Sequence, residues 1–449
     1  LPEGGIKIEF AEGTYNVTES ITLTADDSGE EDKPIVFASA KDAYVLFDGG
    51  VSINPSDFKP ADDTFKSLLP TEEAKANVLM LDLAAAGCYD LDDAVNNQAN
   101  NFYRQELFVN GKRQDVARWP NKEYYHPEVD YKNLISDESG NKFGKIFITE
   151  EQADVWRNIK DIRFYGYPYY DWRTVRMNKI DVSADEAALL YPVTGESSLG
   201  KGCVYFVYNI PQELDSPGEY YWDTKSNILY YWPDTGFETA EISFSQFTDY
   251  PVVLDNCLYI TFDNLSAKYF RNGFLSGTGN HITVSTCCLS GLAGRSAVSL
   301  KGNFNTIKGC LMHDLAAKGI AIGDCGDVAT QTFGNTVVID NIIYEWQQIF
   351  TVYNAAIDIN GYGILVSHNE LHDSPHVAIE IAGGQCVIEY NSVYNCCKES
   401  SDCGAVHTLG YFTWYDNVFR YNIVHDVKDL IRDPGWGNAV YFDCWGRFW

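Results

Sequence analysis

The sequence predicts an all-β protein whose main body is a right-handed parallel β-helix, and three observations predict it. The first is a repeat in the second half. VSTCCLSG, IKGCLMHD, VIDNIIYE, VSHNELHD, IEYNSVYN and FRYNIVHD align on one column, Cys287, Cys310, Asn341, Asn369, Asn391 and Asn422. Its steps are 23, 31, 28, 22 and 31 residues, and ITFDNLSA extends it back to Asp263, 24 residues earlier. The second is an independent ladder of Ala-Val/Ile-X. It runs Ala297-Val298-Ser299, Ala321-Ile322-Gly323, Ala356-Ile357-Asp358, Ala378-Ile379-Glu380, Ala405-Val406-His407 and Ala439-Val440-Tyr441. The third is texture: apolar residues alternate in short runs cut by Gly, Asn and Asp, the period of strands and not of helices. A minimum step of 22 residues with several short strands in it fits one coil of a solenoid, coils stacking about 4.8 Å apart. An Asn repeated at one turn position would hydrogen-bond from coil to coil, as amide ladders do in cross-β assemblies.

Composition agrees and narrows the function. Of 449 residues, 45% are apolar and 14% aromatic, enough for a large core. Many Tyr, Val, Ile and Thr, with only 3 Met and 15 Pro beside 36 Gly, lean towards β structure. No run of 18 apolar residues predicts a membrane span. A net charge of −30 repels nucleic acid and anionic membranes and disfavours a polyanionic substrate. Eleven of the 12 Cys lie from Cys203 onward without zinc spacing, so they read as buried small hydrophobes, with disulfides as the alternative and no metal expected. The start, Leu1-Pro2-Glu3, carries no signal peptide and reads as a processed or trimmed end.

In chain order, residues 1–54 read as the first coils, through EGTYNVTESITL (12–23) and KPIVFASAKDAYVLFDGG (33–50). Residues 55–245 lose the period and read as an inserted, mostly antiparallel β domain, with a helix over TEEQADVWRN (149–158) that Thr149 would cap and Glu151 support. Residues 246–449 form the main solenoid. Its longest steps contain GDCGDVATQTFGN (323–335) and CCKESSDCG (396–404), insertions on a fixed frame of the kind that carries function.

Alternation along a strand gives the candidate site. If Ile357, Ile379 and Ile381 point inward, then Asp358, Glu380, His407 and Tyr441 point out in one column, with Ser299 and Gly323 before them. A parallel column holds Asn360, Ala382, Leu409 and Asp443. The long loops, and the inserted domain with them, would wall this face into a groove. Asp358 and Glu380 on adjacent coils would stand about 5 Å apart, close enough to push one pKa up. Asp443, two coils above Glu380, would be roughly 12 Å from it by backbone. Trp414, Tyr411, Trp436 and Trp445 are candidate stacking partners for sugar rings.

EGTY at the start, LFVNGKRQDVARWPN (107–121), SPGEYYWDTKSNILYYWP (216–233), DCGAVHTLG (402–410) and NAVYFDC (438–444) together resemble the parallel β-helix glycoside hydrolases of family 141 and their relatives in families 120 and 136. The resemblance covers nearly the whole chain and implies a pectin-lyase-like solenoid that cleaves fucoside- or xyloside-containing glycans without a cofactor. It implies two catalytic aspartates. Asp402 opens the segment DxGA-[IV]-[YH]-T, and Asp443 closes [IV]-Y-[LF]-D and matches the nucleophile of the family 120 xylosidases. The family pattern has Gly where Cys403 stands, Asp where Cys444 stands and usually Tyr where His407 stands. A fully extended chain would separate Asp402 from Asp443 by roughly 23 Å, so their cooperation requires a sharp turn before Gly404. Failing that, Glu380 would substitute.

The expected function is therefore a glycoside hydrolase acting on an oligo- or polysaccharide. Asp443 would be nucleophile or base and Asp402 the acid, while Asp358, Glu380, His407, Tyr441, Trp414 and Trp436 would bind substrate. An uncovered last coil at GRFW points to a missing C-terminal segment or to a second chain completing the solenoid, as in the two-subunit lacto-N-biosidases of family 136. A polysaccharide lyase would need a base and a uronate-binding cation, and the column offers only Lys301. A non-catalytic glycan-binding β-helix is the remaining class. The resemblance places the protein with secreted or cell-surface bacterial enzymes, a cytoplasmic location being the alternative.

Overall fold

The computed structural model describes residues 1–91, 105–127, 134–136, 142–159, 161–168, 170–192, 203–410, 413–431 and 437–444. Among them the chain forms a parallel β-helix. Three sheets of nine strands each run its length, and each coil contributes one strand to every sheet. Pairing is parallel and in register: Ile307 lies on Val338, Val366 on Ile388, and Ile388 on Phe419.

Each coil turns its corner between the first and second sheets with a single left-handed residue. Asp340, His368, Tyr390 and Tyr421 have φ between 56° and 59°. Each is followed by a member of the repeat column, so the sequence column marks this corner. Asn341, Asn369 and Asn391 each donate a side-chain N–H to the amide oxygen of the next Asn at 2.9 Å. The same oxygens accept backbone N–H groups, and Asn369 also donates to the Val338 and Ser367 carbonyls. Asn341 and Asn369 are fully buried. Their amides therefore satisfy backbone groups that the corner would otherwise strand away from water.

The interior is one column of stacked apolar side chains, with Ile357, Ile359, Ile379, Ile381, Val366 and Ile388 fully buried. Cysteines fill the same role: among the described residues eleven are free thiols, ten of them buried. The solenoid also runs through the interruption. Ile21 pairs with Val252 and Ile35 with Ile260, so the chain leaves one coil and resumes on the next.

Two compact units result, residues 1–50 with 245–449, and residues 51–244. The second unit holds four-, five- and seven-stranded sheets built mainly of antiparallel neighbours, with Asp115–Val116 running parallel to Glu219–Asp223. PGEYYWD and ILYYW form its hairpin, Glu219–Asp223 on Ile228–Tyr231. The helix spans Glu150–Trp156, and Thr149 accepts from the Gln152 N–H at 3.1 Å. Gln152, not Glu151, closes the capping box, because the reciprocal bond needs the third residue of the helix. No helix among the described residues is long and apolar enough to cross a membrane.

Candidate active site

Four strands of the third sheet carry the site: Ile357–Tyr362, Ile379–Gly384, Gly404–Gly410 and Asn438–Cys444. Asp358 lies on Glu380, Glu380 on His407 and His407 on Tyr441, so the expected row exists in register. Below Asp358 the row continues with Ala321 and Ser299, not with Gly323. The ladder had been aligned two residues too far along that coil. A slip of two keeps every side chain on its own face, so alternation could not reveal the error.

The second column is broken. Asn360 lies on Ala382 and Leu409 on Asp443, but pairing between the second and third of these strands ends at Glu380 and His407. Asp443 points away from the core, its side chain 30% exposed.

The carboxylates do not simply face one another. Asp358 pairs with Lys318, a residue the sequence reading overlooked because it starts its strand two positions before Ile320. Glu380 instead accepts from His407, whose Nδ1 lies 3.1 Å from both carboxylate oxygens. His407 was expected to meet a sugar hydroxyl, yet its side chain is fully buried. The imidazole lies beneath the row, with Nε2 at 4.0 Å from Asp443 Oδ2. Burial alone would lower its pKa. The Glu380 contact, the Glu380 charge, Cys403 and Asp443 together outweigh burial and raise it above the ordinary histidine value.

Asp402 is reached by a turn. Residues 401–403 form bends, and the buried Cys403 thiol donates to the Ser400 carbonyl at 3.4 Å. Tyr441 then donates its hydroxyl to Asp402 Oδ1 at 2.9 Å, which ties Asp402 to the strand that carries Asp443. Gly404 permits this approach, because a Cβ there would stand 2.7 Å from the Tyr441 Cβ. A turn before Gly404, which cooperation of Asp402 with Asp443 requires, is therefore present.

Tyr353 was missed. It sits in the connection after Ile342–Tyr344, held by Trp346, whose indole N–H donates to the Val377 carbonyl at 3.2 Å, and by Asn354, which donates to the Val352 carbonyl at 2.7 Å. Its ring leans on His376 at 4.8 Å and on His407 at 5.8 Å. Burial, and then the charges of Asp402, Glu380, Cys403 and Asp443, push its phenol above the ordinary range. One half-buried hydroxyl thus feels three of the four candidate carboxylates. The signal was present as the step of 28 between Asn341 and Asn369, six more than the minimum.

The expected wall loop 323–335 reaches up the solenoid past its own coil. Gln331 donates to the Tyr415 hydroxyl at 2.9 Å, and Phe333 packs edge-on to Tyr362 at 5.3 Å. Trp414 is half-buried in the connection after Gly404–Gly410. Trp436, Tyr411 and Trp445 lie outside the described residues. Among the described residues no group of three His, Cys, Asp or Glu is arranged to hold a metal ion.

A family model described as a right-handed β-helix region matches residues 296–448. A solved structure titled "Glycoside hydrolase" superposes with a TM-score of 0.71 at 16% identity, covering 98% of this chain and 88% of that one. A second, titled "The complex structure of XylC with xylose", gives 0.50 at 10% identity, covering 98% of this chain and 63% of that one. No curated protein matches the sequence. At these identities the likeness establishes the fold: a parallel β-helix of the kind found in a glycoside hydrolase.

Proposed function

We propose that the protein is a glycoside hydrolase that cleaves a neutral oligo- or polysaccharide, with fucoside- and xyloside-containing glycans the favoured class. What supports this reading is that Tyr441 donates to Asp402 from the strand that carries Asp443, and that both aspartates, 41 residues apart in sequence, act on the Tyr353 phenol. Glycosidic cleavage needs two carboxyl groups, one to protonate the leaving oxygen and one to attack the anomeric carbon or activate water. Asp402 would protonate, since an Oδ1 that accepts from a phenol is compatible with a proton on Oδ2. Asp443 would attack or act as base. Tyr353 and Tyr441 would orient the substrate, and Asp358 with Lys318 would bound the site one coil below Glu380. The solved structures titled "Glycoside hydrolase" and "The complex structure of XylC with xylose" support a carbohydrate substrate.

A polysaccharide lyase is less well supported. Lys318, a described cation beside the row, is engaged with Asp358. The test is a panel of fucosides, xylosides and plant and host glycans, with released reducing sugar measured for wild type, Asp402→Asn and Asp443→Asn. Release abolished in both variants supports the assignment. Undiminished release in both removes it, and an unsaturated product absorbing in the ultraviolet would favour the lyase.

A further inference from the structure

Lys318 and Asp358 form an ion pair that the proposed cleavage step does not use. We infer that this pair is a distal sugar subsite, which holds two neighbouring hydroxyls of a neutral glycan unit beyond the one being cleaved. The inference deepens the hydrolase reading and rests on it only for which unit is cleaved.

The local sequence turns the ammonium onto the outer face. A Cβ at Gly319 would stand 2.6 Å from the Ala356 carbonyl and 3.1 Å from the core residue Ile343, so position 319 faces inward and Lys318 beside it faces out. Lys318 then reaches up one coil to Asp358, which lies on Ala321 of the Lys318 strand. Both side chains keep access to water, at 16% and 20% exposure. Asn360, two residues along the same strand, is exposed. Below Asp358 the row drops to Ala321 and Ser299, whose short side chains leave room for a ring beside the pair.

The chemistry of the pair matches adjacent hydroxyls. An ammonium has three N–H donors and a carboxylate about four acceptor sites, and the bond between them uses one of each. A donor and an acceptor side by side fit two neighbouring hydroxyls, one accepting and the other donating. Because the two charges cancel, the subsite suits a neutral sugar, whereas an unpaired Lys318 would suit a uronate. A largely covered ion pair is also a poor source of stability, since apolar residues of similar size serve as well or better. Asp358 lies three coils from Tyr441 on the strand of Asp443, about 14 Å at the spacing of stacked strands. One sugar ring is shorter than that. The unit on Lys318 and Asp358 is therefore not the unit at Asp443, and the bound glycan runs down the third sheet along the solenoid axis.

Calorimetric binding in the Asp443→Asn background tests this, with xylose, fucose, xylohexaose, a fucosylated xyloglucan oligosaccharide and a glucuronate-bearing xylo-oligosaccharide as probes. A neutral oligosaccharide should bind more tightly than either single sugar. Lys318→Met combined with Asp358→Leu removes both charges and leaves neither unpaired, so the fold should hold. That double variant should bind the neutral oligosaccharide about 10- to 100-fold more weakly, as for the loss of charged hydrogen bonds, at an unchanged melting temperature. Asp358→Asn, which leaves Lys318 charged, should move preference about tenfold towards the glucuronate-bearing probe, and it serves alone should the double variant not fold. Failure of every neutral oligosaccharide to bind, equal binding with and without the pair, or an unmoved preference in Asp358→Asn overturns the inference. None of these readings needs turnover. Binding that depends on the pair in a protein that releases no sugar would remove the hydrolase reading and keep the subsite, and sugar release with binding indifferent to the pair would do the reverse.

Discussion

Two polar columns climb this solenoid, and they differ in every respect that matters. At the corner between the first and second sheets, one residue type repeats from Asn341 upward, the amides of Asn341, Asn369 and Asn391 are buried, and each donates to the next at the same 2.9 Å. On the third sheet no residue type repeats from Asp358 to Tyr441. A carboxylate held by Lys318 is followed by a carboxylate on an imidazole, then by that imidazole beneath the surface, then by a tyrosine that reaches sideways to Asp402. Uniformity is what stacking alone requires, since identical coils satisfy one another. Variation in register costs stability, because charges enter and strand pairing shortens to the two pairs Ile379–Val406 and Glu380–His407. The uniform column holds the fold, and the varied one is where we propose the chemistry lies.

That contrast can be broken by mutation, beginning with the largest effect. Asp443→Asn, and likewise Asp402→Asn, should lower kcat by about 10²–10⁴-fold while leaving the melting temperature within a degree or two of wild type, read by steady-state kinetics and calorimetry. Gly404→Ala drives a methyl group into Tyr441 and displaces Asp402. A loss of about 10²-fold in kcat is expected, as for a misplacement near 1 Å, and unchanged kinetics would show that the turn does not position Asp402.

Asn369→Ala is the opposite case. It strands the Asn341 amide and backbone N–H and should cost about 1–3 kcal/mol by denaturant unfolding, with kcat per folded molecule unaltered. Tyr353→Phe keeps the ring and removes the hydroxyl. A fall of roughly fivefold in kcat/KM, worth ~1 kcal/mol, is expected at constant stability.

The smallest effect is on pH. The folded-state pKa of His407 lies above its unfolded value, so its contribution to stability is complete below the unfolded pKa and is lost as pH rises through the folded one. His407→Gln should flatten that alkaline decline in unfolding free energy. Asn369→Ala, which removes no titrating group, should leave its slope intact.

Much of the solenoid was legible in the sequence because its coils obey two short-range rules. Alternation placed Ile357, Ile379 and Ile381 inside, and the corner amides marked the coil count. The row from Asp358 to Tyr441 followed from those rules, as did the outward turn of Asp443. What escaped reading depends on geometry across coils. Gly323 and Ala321 share a face, so pattern could not choose between them. His407 obeys the parity of an exposed residue, yet Tyr353 and Tyr441 cover it, and nothing in its own strand announces them. Lys318 reaches Asp358 from the head of its strand, outside the column where cations were sought. Asp402 seemed too distant because strand arithmetic assumes an extended chain, while residues 401–403 bend and Gly404 admits Tyr441.

The most direct measurement is sugar release by Asp443→Asn and Asn369→Ala assayed side by side against wild type on the same glycan, with each rate divided by the folded fraction. The account predicts that Asp443→Asn is folded and inactive, while Asn369→Ala is less stable and fully active. A folded Asp443→Asn that turns over at the wild-type rate would contradict it.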